Sequence, residues 1–335
     1  MKKEEIMAKK IIFDTDFGGD CDDALALDLL LSCAKKGECE LLGITASAQI
    51  HDIARGIYTV LYQHGMQQIP VGTYYRYPDD GERGGRSYGE HLARRFPAPG
   101  APAAEEVPEG YKLLRRLLAE NDGVTLLSTG MLTNFAKLIS SGPDEYSLLT
   151  GKELISEKVK EIVVMGGCFS HQTGINPELD NVGPDGQVIP MAEGNLASHI
   201  EATKKVFYDV NVPTVIMPYE VGNRMMTGAP MAEHGLGLTP DSYTFYHCRM
   251  ETGRHSWDPA TALYAVFGAM PWFHLSVPGE VRFDEDRVTS FYPDKNGHHR
   301  IASARLPQKM IGAAIDALVM RLFEDEKNTE DTEEK

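Results

Sequence analysis

The sequence predicts an α/β protein: an open, doubly wound, mostly parallel sheet with helices on both faces. Two observations carry this. Short apolar runs of strand length alternate with longer segments of helical periodicity, which is how parallel sheets are assembled from β-α-β units. The first apolar run, residues 11–13, ends directly in a cluster of aspartates. Ligands of doubly wound sheets bind outside the carboxyl ends of the strands, so the cluster falls where a site belongs.

The first strand-turn-helix occupies residues 9–31, KKIIFDTDFGGDCDDALALDLLL. Asp14 and Asp16 lie two apart on the strand and so point to the same side. Gly18 and Gly19 allow a tight turn. Asp22 and Asp23 stand at the head of the helix, where the macrodipole favours anions. Capping accounts for one or two carboxylates there. It does not account for five within ten residues, because like charges so close raise one another's pKa unless a cation neutralises them. A cluster of oxygens without His or Cys suits a hard ion, Ca²⁺ or Mg²⁺. An EF-hand loop also begins D-x-D, but its twelfth position, normally Glu, is Leu25 here.

The remaining elements follow in order. Residues 41–46 (LLGITA) read as a second strand, 51–64 as a helix and 69–72 as a third strand. Residues 73–110 lose periodicity and read as a long loop carrying Tyr74, Tyr75, Tyr77, Tyr88 and His91, most simply a surface excursion. A helix at 111–120 precedes a strand at 124–128, a bend at Gly130 and another helix. Residues 161–165 form a strand whose trailing glycines do not make a dinucleotide fingerprint. After a polar loop, 191–207 read as one capped helix headed by Glu193 and Asn195, and 213–218 as a strand. Residues 222–257 are irregular and mainly helical. Asp258 before Pro259 reads as the N-cap of a helix, and short β segments at 280–283 and 288–292 precede a last helix near 306–323.

Composition narrows the class. A hydrophobic share of 42% and a charged share of 24% are those of an ordinary globule. The net charge of −16 opposes nucleic-acid binding. Five cysteines without C-x-x-C spacing indicate reduced thiols. No run approaches membrane-span length and the first ten residues are charged, so a cytoplasmic enzyme is expected. We expect one catalytic domain over residues 1–323 and a disordered acidic tail over 324–335.

The run D-T-D-F-G-G-D-C-D-D, residues 14–23, resembles the N-terminal signature of nucleoside hydrolases of the inosine/uridine-preferring type. It has Phe17 for the usual Pro and two extra residues before the Asp pair, a form found in a bacterial branch of that family. Three further segments share the resemblance: Gly130-Met131-Leu132-Thr133-Asn134, Glu193-Gly194-Asn195, and Asp258 at a helix start. It implies Ca²⁺-dependent hydrolysis of the N-glycosidic bond of a small ribonucleoside or related ribosyl compound, on a Rossmann-like fold. The implied metal ligands are Asp16, Asp23, Asp258 and the backbone carbonyl of Thr129. Asp16 is also the implied general base. Asp22, Glu193 and Asn195 are implied to bind the ribose hydroxyls, and Asp14 to support the site from behind. Family members often have His where this chain has Trp257, which can stack on a base but has no proton of suitable pKa. A dimer or tetramer is the family habit.

Two rivals remain at this level. A ribosyl-binding protein could keep the metal and sugar groups yet have lost catalysis with Trp257. A Mg²⁺-dependent phosphohydrolase of the haloacid-dehalogenase type also opens with a strand ending in D-x-D. It needs a second acidic segment after a strand, for which GPDG at 183–186 is the nearest candidate.

Overall fold

The computed structural model describes residues 8–48, 53–74, 87–174 and 182–324. Strand β1 (Lys9–Thr15) is buried from Ile11 onward, and its side chains alternate between two cores: Ile11 and Phe13 face one, Ile12 the other. Helix α1 (Cys21–Lys35) follows, buried along Cys21 to Cys33, its apolar residues accompanied by the buried Asp22, Asp23, Asp28 and Ser32. Then come β2 (Cys39–Ala46), α2 (Ile53–Gln63), β3 (Val71–Thr73), α3 (Tyr88–Arg95) and α4 (Gly110–Glu120). The next stretch holds β4 (Val124–Ser128), α5 (Thr133–Ser140), α6 (Gly151–Lys158), β5 (Val159–Met165) and α7 (Ser170–Thr173). It continues through α8 (Gly194–Ser198) and α9 (Ile200–Asp209) to β6 (Thr214–Met217).

The last third begins with α10 (Tyr219–Gly222), β7 (Met226–Thr227), α11 (Ala229–Gly235), α12 (Pro240–Cys248) and β8 (Arg254–His255). After α13 (Trp257–Phe267) come β9 (Phe273–Leu275), β10 (Gly279–Phe283), β11 (Thr289–Pro293), β12 (His299–Ala304) and α14 (Gln308–Met320). Among the described residues the main sheet has ten strands in the order β11-β10-β12-β6-β5-β4-β1-β2-β3, with β9 paired to β12. The run from β12 to β3 is parallel, while β9, β10 and β11 join antiparallel. The mostly parallel sheet is therefore as expected. Chain order runs outward in opposite directions from β1 and β4, so the topological switch point lies between those two strands. Helices α1, α2, α13 and α14 pack on one face, and α4, α5, α6 and α9 on the other.

Several expectations are corrected. The stretch read as a loop contains α3, because Tyr88 and Leu92 are needed in the core; Tyr88 lies edge-on against Phe17 at 4.9 Å. His91, by contrast, is exposed beside His247, and Tyr75 and Tyr77 lie outside the described residues. The single helix read over 191–207 breaks at His199 into α8 and α9. Asp258 is not an N-cap: Ser256 holds that position and Asp258 lies inside the first turn of α13. Strand β12 was not foreseen, although it extends the parallel sheet beyond β6. The tail beyond Glu324 lies outside the described residues.

Arg115 is a buried polar pin that no motif announced. From α4 its guanidinium donates to Asp144 Oδ2 (2.6 Å), Ser141 Oγ (2.9 Å) and the carbonyls of Ser147 (3.1 Å) and Leu149 (2.8 Å). It satisfies a connection between α5 and α6 that has no ladder of its own. Arg115→Met should destabilise the fold by at least about 2 kcal/mol, since several charge-assisted hydrogen bonds go at once. Urea unfolding of the variant checks this, and an unchanged midpoint would refute it.

Candidate active site

The site is built where β1 ends. Asp14 is fully buried and accepts from Thr45 Oγ1 (2.5 Å), Asn134 Nδ2 (2.8 Å) and Ser128 Oγ (3.3 Å), which ties β1 to β2, β4 and α5. Burial raises its pKa to about 7, against the pull of those hydrogen bonds. Thr15 turns inward. Its hydroxyl donates to Asp23 Oδ1 (2.5 Å) and accepts from the Phe17 amide (3.1 Å). Asp16, two residues after Asp14, is the partly exposed member of the cluster.

The extra residues of the loop have a clear job. Asp20 is the N-cap of α1, accepting from the Cys21 amide (2.8 Å), and it binds Arg254 through both oxygens, at 2.6 Å for the shortest contact. Asp20 thus sits beside the carboxylate cluster and braces it. Asp22 and Asp23 occupy the first turn of α1, and Asp22 Oδ2 accepts from the backbone amide of Asp258 (3.2 Å), which fastens α1 to α13.

One carboxylate oxygen each from Asp16, Asp23 and Asp258 converge to within 4.8 Å of one another. Among the described residues no lysine or arginine forms an ion pair with any of the three. Burial, followed by mutual repulsion, pushes Asp23 and Asp258 well above the usual carboxylate range. Asp16 rises to about 6 and Asp22 to about 8, again chiefly through burial. These are the signs of a missing positive charge. A divalent ion at the convergence point would reverse all four, and an all-oxygen donor set fits a hard cation.

Thr129 follows β4 directly across the switch point, and its amide donates to the Asp14 carbonyl (2.8 Å). Its own carbonyl accepts from Asn195 Nδ2 (2.9 Å), leaving a second lone pair. Gly130 makes this approach possible: a Cβ there would lie 2.6 Å from the Asp16 amide nitrogen and would also strike Ser47 Oγ. Glu193 is buried at the head of α8 and accepts from the amides of Gly167 (2.9 Å), Asn195 (2.8 Å) and Leu196 (3.1 Å). Capping and site-building are therefore the same interaction here. Burial raises its pKa while those amides hold it down.

Trp257 opens α13 next to Asp258. Its indole N–H donates to the Tyr219 carbonyl (3.0 Å), its ring stacks on Tyr219 at 5.2 Å, and the Arg254 guanidinium lies 4.8 Å from the ring. The polar edge is thereby committed to the backbone, and the ring itself packs against Tyr219, Arg254 and His255. Motif reading misses Arg254, whose partner Asp20 lies 234 residues away, and the local bond from Thr15 to Asp23. Asn134 stands in a motif, but its bond to Asp14, 120 residues away, is not readable from it. GPDG at 183–186 forms an exposed turn closed by Gly186 N to the Gly183 carbonyl (2.9 Å), with nothing to support the phosphohydrolase.

A doubly wound sheet with a hard-cation cluster at its switch point and a capped acid facing it defines a metal-dependent hydrolase of the nucleoside-hydrolase class. The chain belongs to the inosine-uridine preferring nucleoside hydrolase family, whose model matches residues 11–303. It is 27% identical to the probable uridine nucleosidase 2 of Arabidopsis thaliana over 302 residues, 84% of each chain. It is 30% identical over 282 residues to the pyrimidine-specific ribonucleoside hydrolase RihA of Enterobacter sp. strain 638, covering 78% of this chain and 80% of that one. The fold is also that of the inosine-uridine preferring nucleoside hydrolase from Bacillus anthracis, with TM-score 0.60, 19% identity and coverage of 94% and 98%. The type III effector protein XopQ, complexed with adenosine diphosphate ribose, superposes with TM-score 0.62 at 16% identity, covering 95% and 94%. The chain is accordingly an N-ribohydrolase acting on small-molecule nucleosides. None of its described helices is long and apolar enough to cross a membrane.

Two outcomes follow from this geometry. Asp14 and Asp22 hold folded-state values of about 7 and 8 against an ordinary 3.8, so the metal-free folded state retains protons that the unfolded chain releases. Chelator-treated protein should therefore lose Tm as pH rises from about 5 to 8, and a bound divalent ion should flatten that slope. A Tm that is flat or rising in chelator would count against the buried cluster. Gly130→Ala should lower metal affinity about 10–100-fold by displacing Asp16, measurable by calorimetric titration.

Proposed function

We propose that the chain hydrolyses the N-glycosidic bond of a ribonucleoside with Ca²⁺ as its ion, residues 1–323 acting as one catalytic domain. The convergence of Asp16, Asp23 and Asp258 at the switch point, with no lysine or arginine ion-paired to them among the described residues, carries this reading. Asp16, Asp23, Asp258 and the Thr129 carbonyl would hold the ion, which when bound lowers the pKa of a coordinated water. Asp16 is the general base: it is the most exposed of the three, and a bound divalent ion would keep it ionised at neutral pH.

Asp22, Glu193 and Asn195 take the ribose hydroxyls. Three backbone amides hold the Glu193 carboxylate in one orientation, so it can accept from a sugar hydroxyl without reorganising. Holding the ribose this way favours the oxocarbenium-like character that N-glycosidic cleavage shares with glycoside hydrolysis. Asp14 acts from behind, fixing the end of β1 from which Asp16 projects. Trp257 offers its ring to the base and no proton. The names of the curated relatives put uridine and other pyrimidine ribonucleosides first among substrates.

Reducing-sugar release from a nucleoside panel tests the proposal. Release should require Ca²⁺ and stop with chelator. Asp16→Asn should lower kcat about 10³-fold while the circular dichroism spectrum stays unchanged. Full turnover by that variant would refute its role as base. Calcium-independent release would refute the choice of ion.

A further inference from the structure

A second convergence of ligand-type atoms lies away from the site described, inside the helical layer that covers α1. Asp28 projects from the middle of α1, His64 follows the end of α2, and Asp241 sits in the first turn of α12. One ligand-type atom from each lies within 4.8 Å of the others, and all three residues are buried. The side chains of His64 and Asp241 have no exposed surface, and Asp28 is 1% exposed.

Hydrogen bonding does not explain the cluster. His64 Nε2 lies 3.0 Å from Asp241 Oδ1, and Asp28 can hydrogen-bond to Asp241 only if one of the two carboxyls carries a proton. Both oxygens of Asp28, Oδ2 of Asp241 and Nδ1 of His64 have no hydrogen-bond partner. Two carboxylates sealed from water with one polar contact between them are strongly disfavoured unless a cation or a proton joins them. Phe323 packs edge-on against the His64 ring at 5.7 Å and helps exclude solvent.

We infer that Asp28, His64 and Asp241 form a second, structural metal site for a divalent first-row transition ion such as Zn²⁺ or Mn²⁺. Two carboxylates balance its charge. One imidazole with carboxylate oxygens is a donor set for Zn²⁺, Mn²⁺ or Fe²⁺, unlike the all-oxygen set at the end of β1. The 3.0 Å between His64 Nε2 and Asp241 Oδ1 is close to the span of adjacent ligands in an octahedral site with the ion about 2.1 Å from each, and a tetrahedral Zn²⁺ site would widen it by a few tenths of an ångström. The two open oxygens of Asp28 can supply a third and a fourth ligand atom. The ion clasps the middle of α1 to the end of α2 and the start of α12. The rival occupant is a proton shared between Asp28 and Asp241.

The inference is independent of the nucleoside reading and is tested without it. The Asp16→Asn, Asp258→Asn double variant removes the hard-ion site. Folded in the presence of Zn²⁺ and dialysed, it should retain about one equivalent per chain by elemental analysis. The same variant folded with Mn²⁺ should show nitrogen coupling in pulsed electron paramagnetic resonance, which an all-oxygen site cannot give. Adding His64→Gln should remove the equivalent and lower Tm. A double variant that retains no ion, or Mn²⁺ without nitrogen coupling, would overturn the inference and leave the shared proton. Metal content unchanged by His64→Gln would overturn it equally.

Discussion

Carboxylates packed together at the end of β1 repel one another, and much of the surrounding structure exists to hold them there. Asp14, Asp16, Asp20, Asp22 and Asp23 fall within ten residues, and Asp258 joins them from α13. Each device near them opposes the repulsion in part. Thr15, Thr45, Ser128 and Asn134 donate hydrogen bonds, Arg254 neutralises Asp20, and the first turn of α1 presents its positive end. What these leave without an ion pair among the described residues is the group of Asp16, Asp23 and Asp258, whose charge a divalent ion would balance.

Topology converts this local tension into a site. The switch point between β1 and β4 opens a crevice, and the turn after β4 brings Thr129 against it. The turn after β5 supplies the Gly167 amide that braces Glu193 at the head of α8, and the start of α10 after β6 supplies Tyr219, braced on Trp257. These groups thus come from strand ends and helix starts. Rigid elements position such groups more tightly than free loops do.

Much of this was legible in the sequence, because local patterns encode it. The run of residues 9–31 shows strand, glycine turn and helix in one line, and the structure has them with shifts of a residue or two. Asp16, Asp23 and Asp258 converge as the family motif implies, and Glu193 caps α8 as its position suggested. What stayed hidden depends on partners distant in sequence. Tyr88 looks like a loop residue until Phe17 packs against it. Arg115 reads as one more surface arginine of an amphipathic helix. His64 and Asp241 are separated by 177 residues, and neither stands in a motif. Local periodicity reports which face of an element is apolar and carries no information about which polar atoms meet across the core.

The reach of Asp258 sets the order in which this site can mature. Its backbone meets Asp22 across 236 residues, and Arg254 meets Asp20 across 234. A nascent chain emerging from the ribosome would expose β1, α1 and their acids long before the residues that complete and neutralise the cluster. Until α13 docks, the acids of the first βα unit lack both Asp258 and the Arg254 that pairs with Asp20. Ion capture by this cluster would therefore be tied to completion of the fold, and a truncated chain lacking α13 would lack one of the three converging carboxylates.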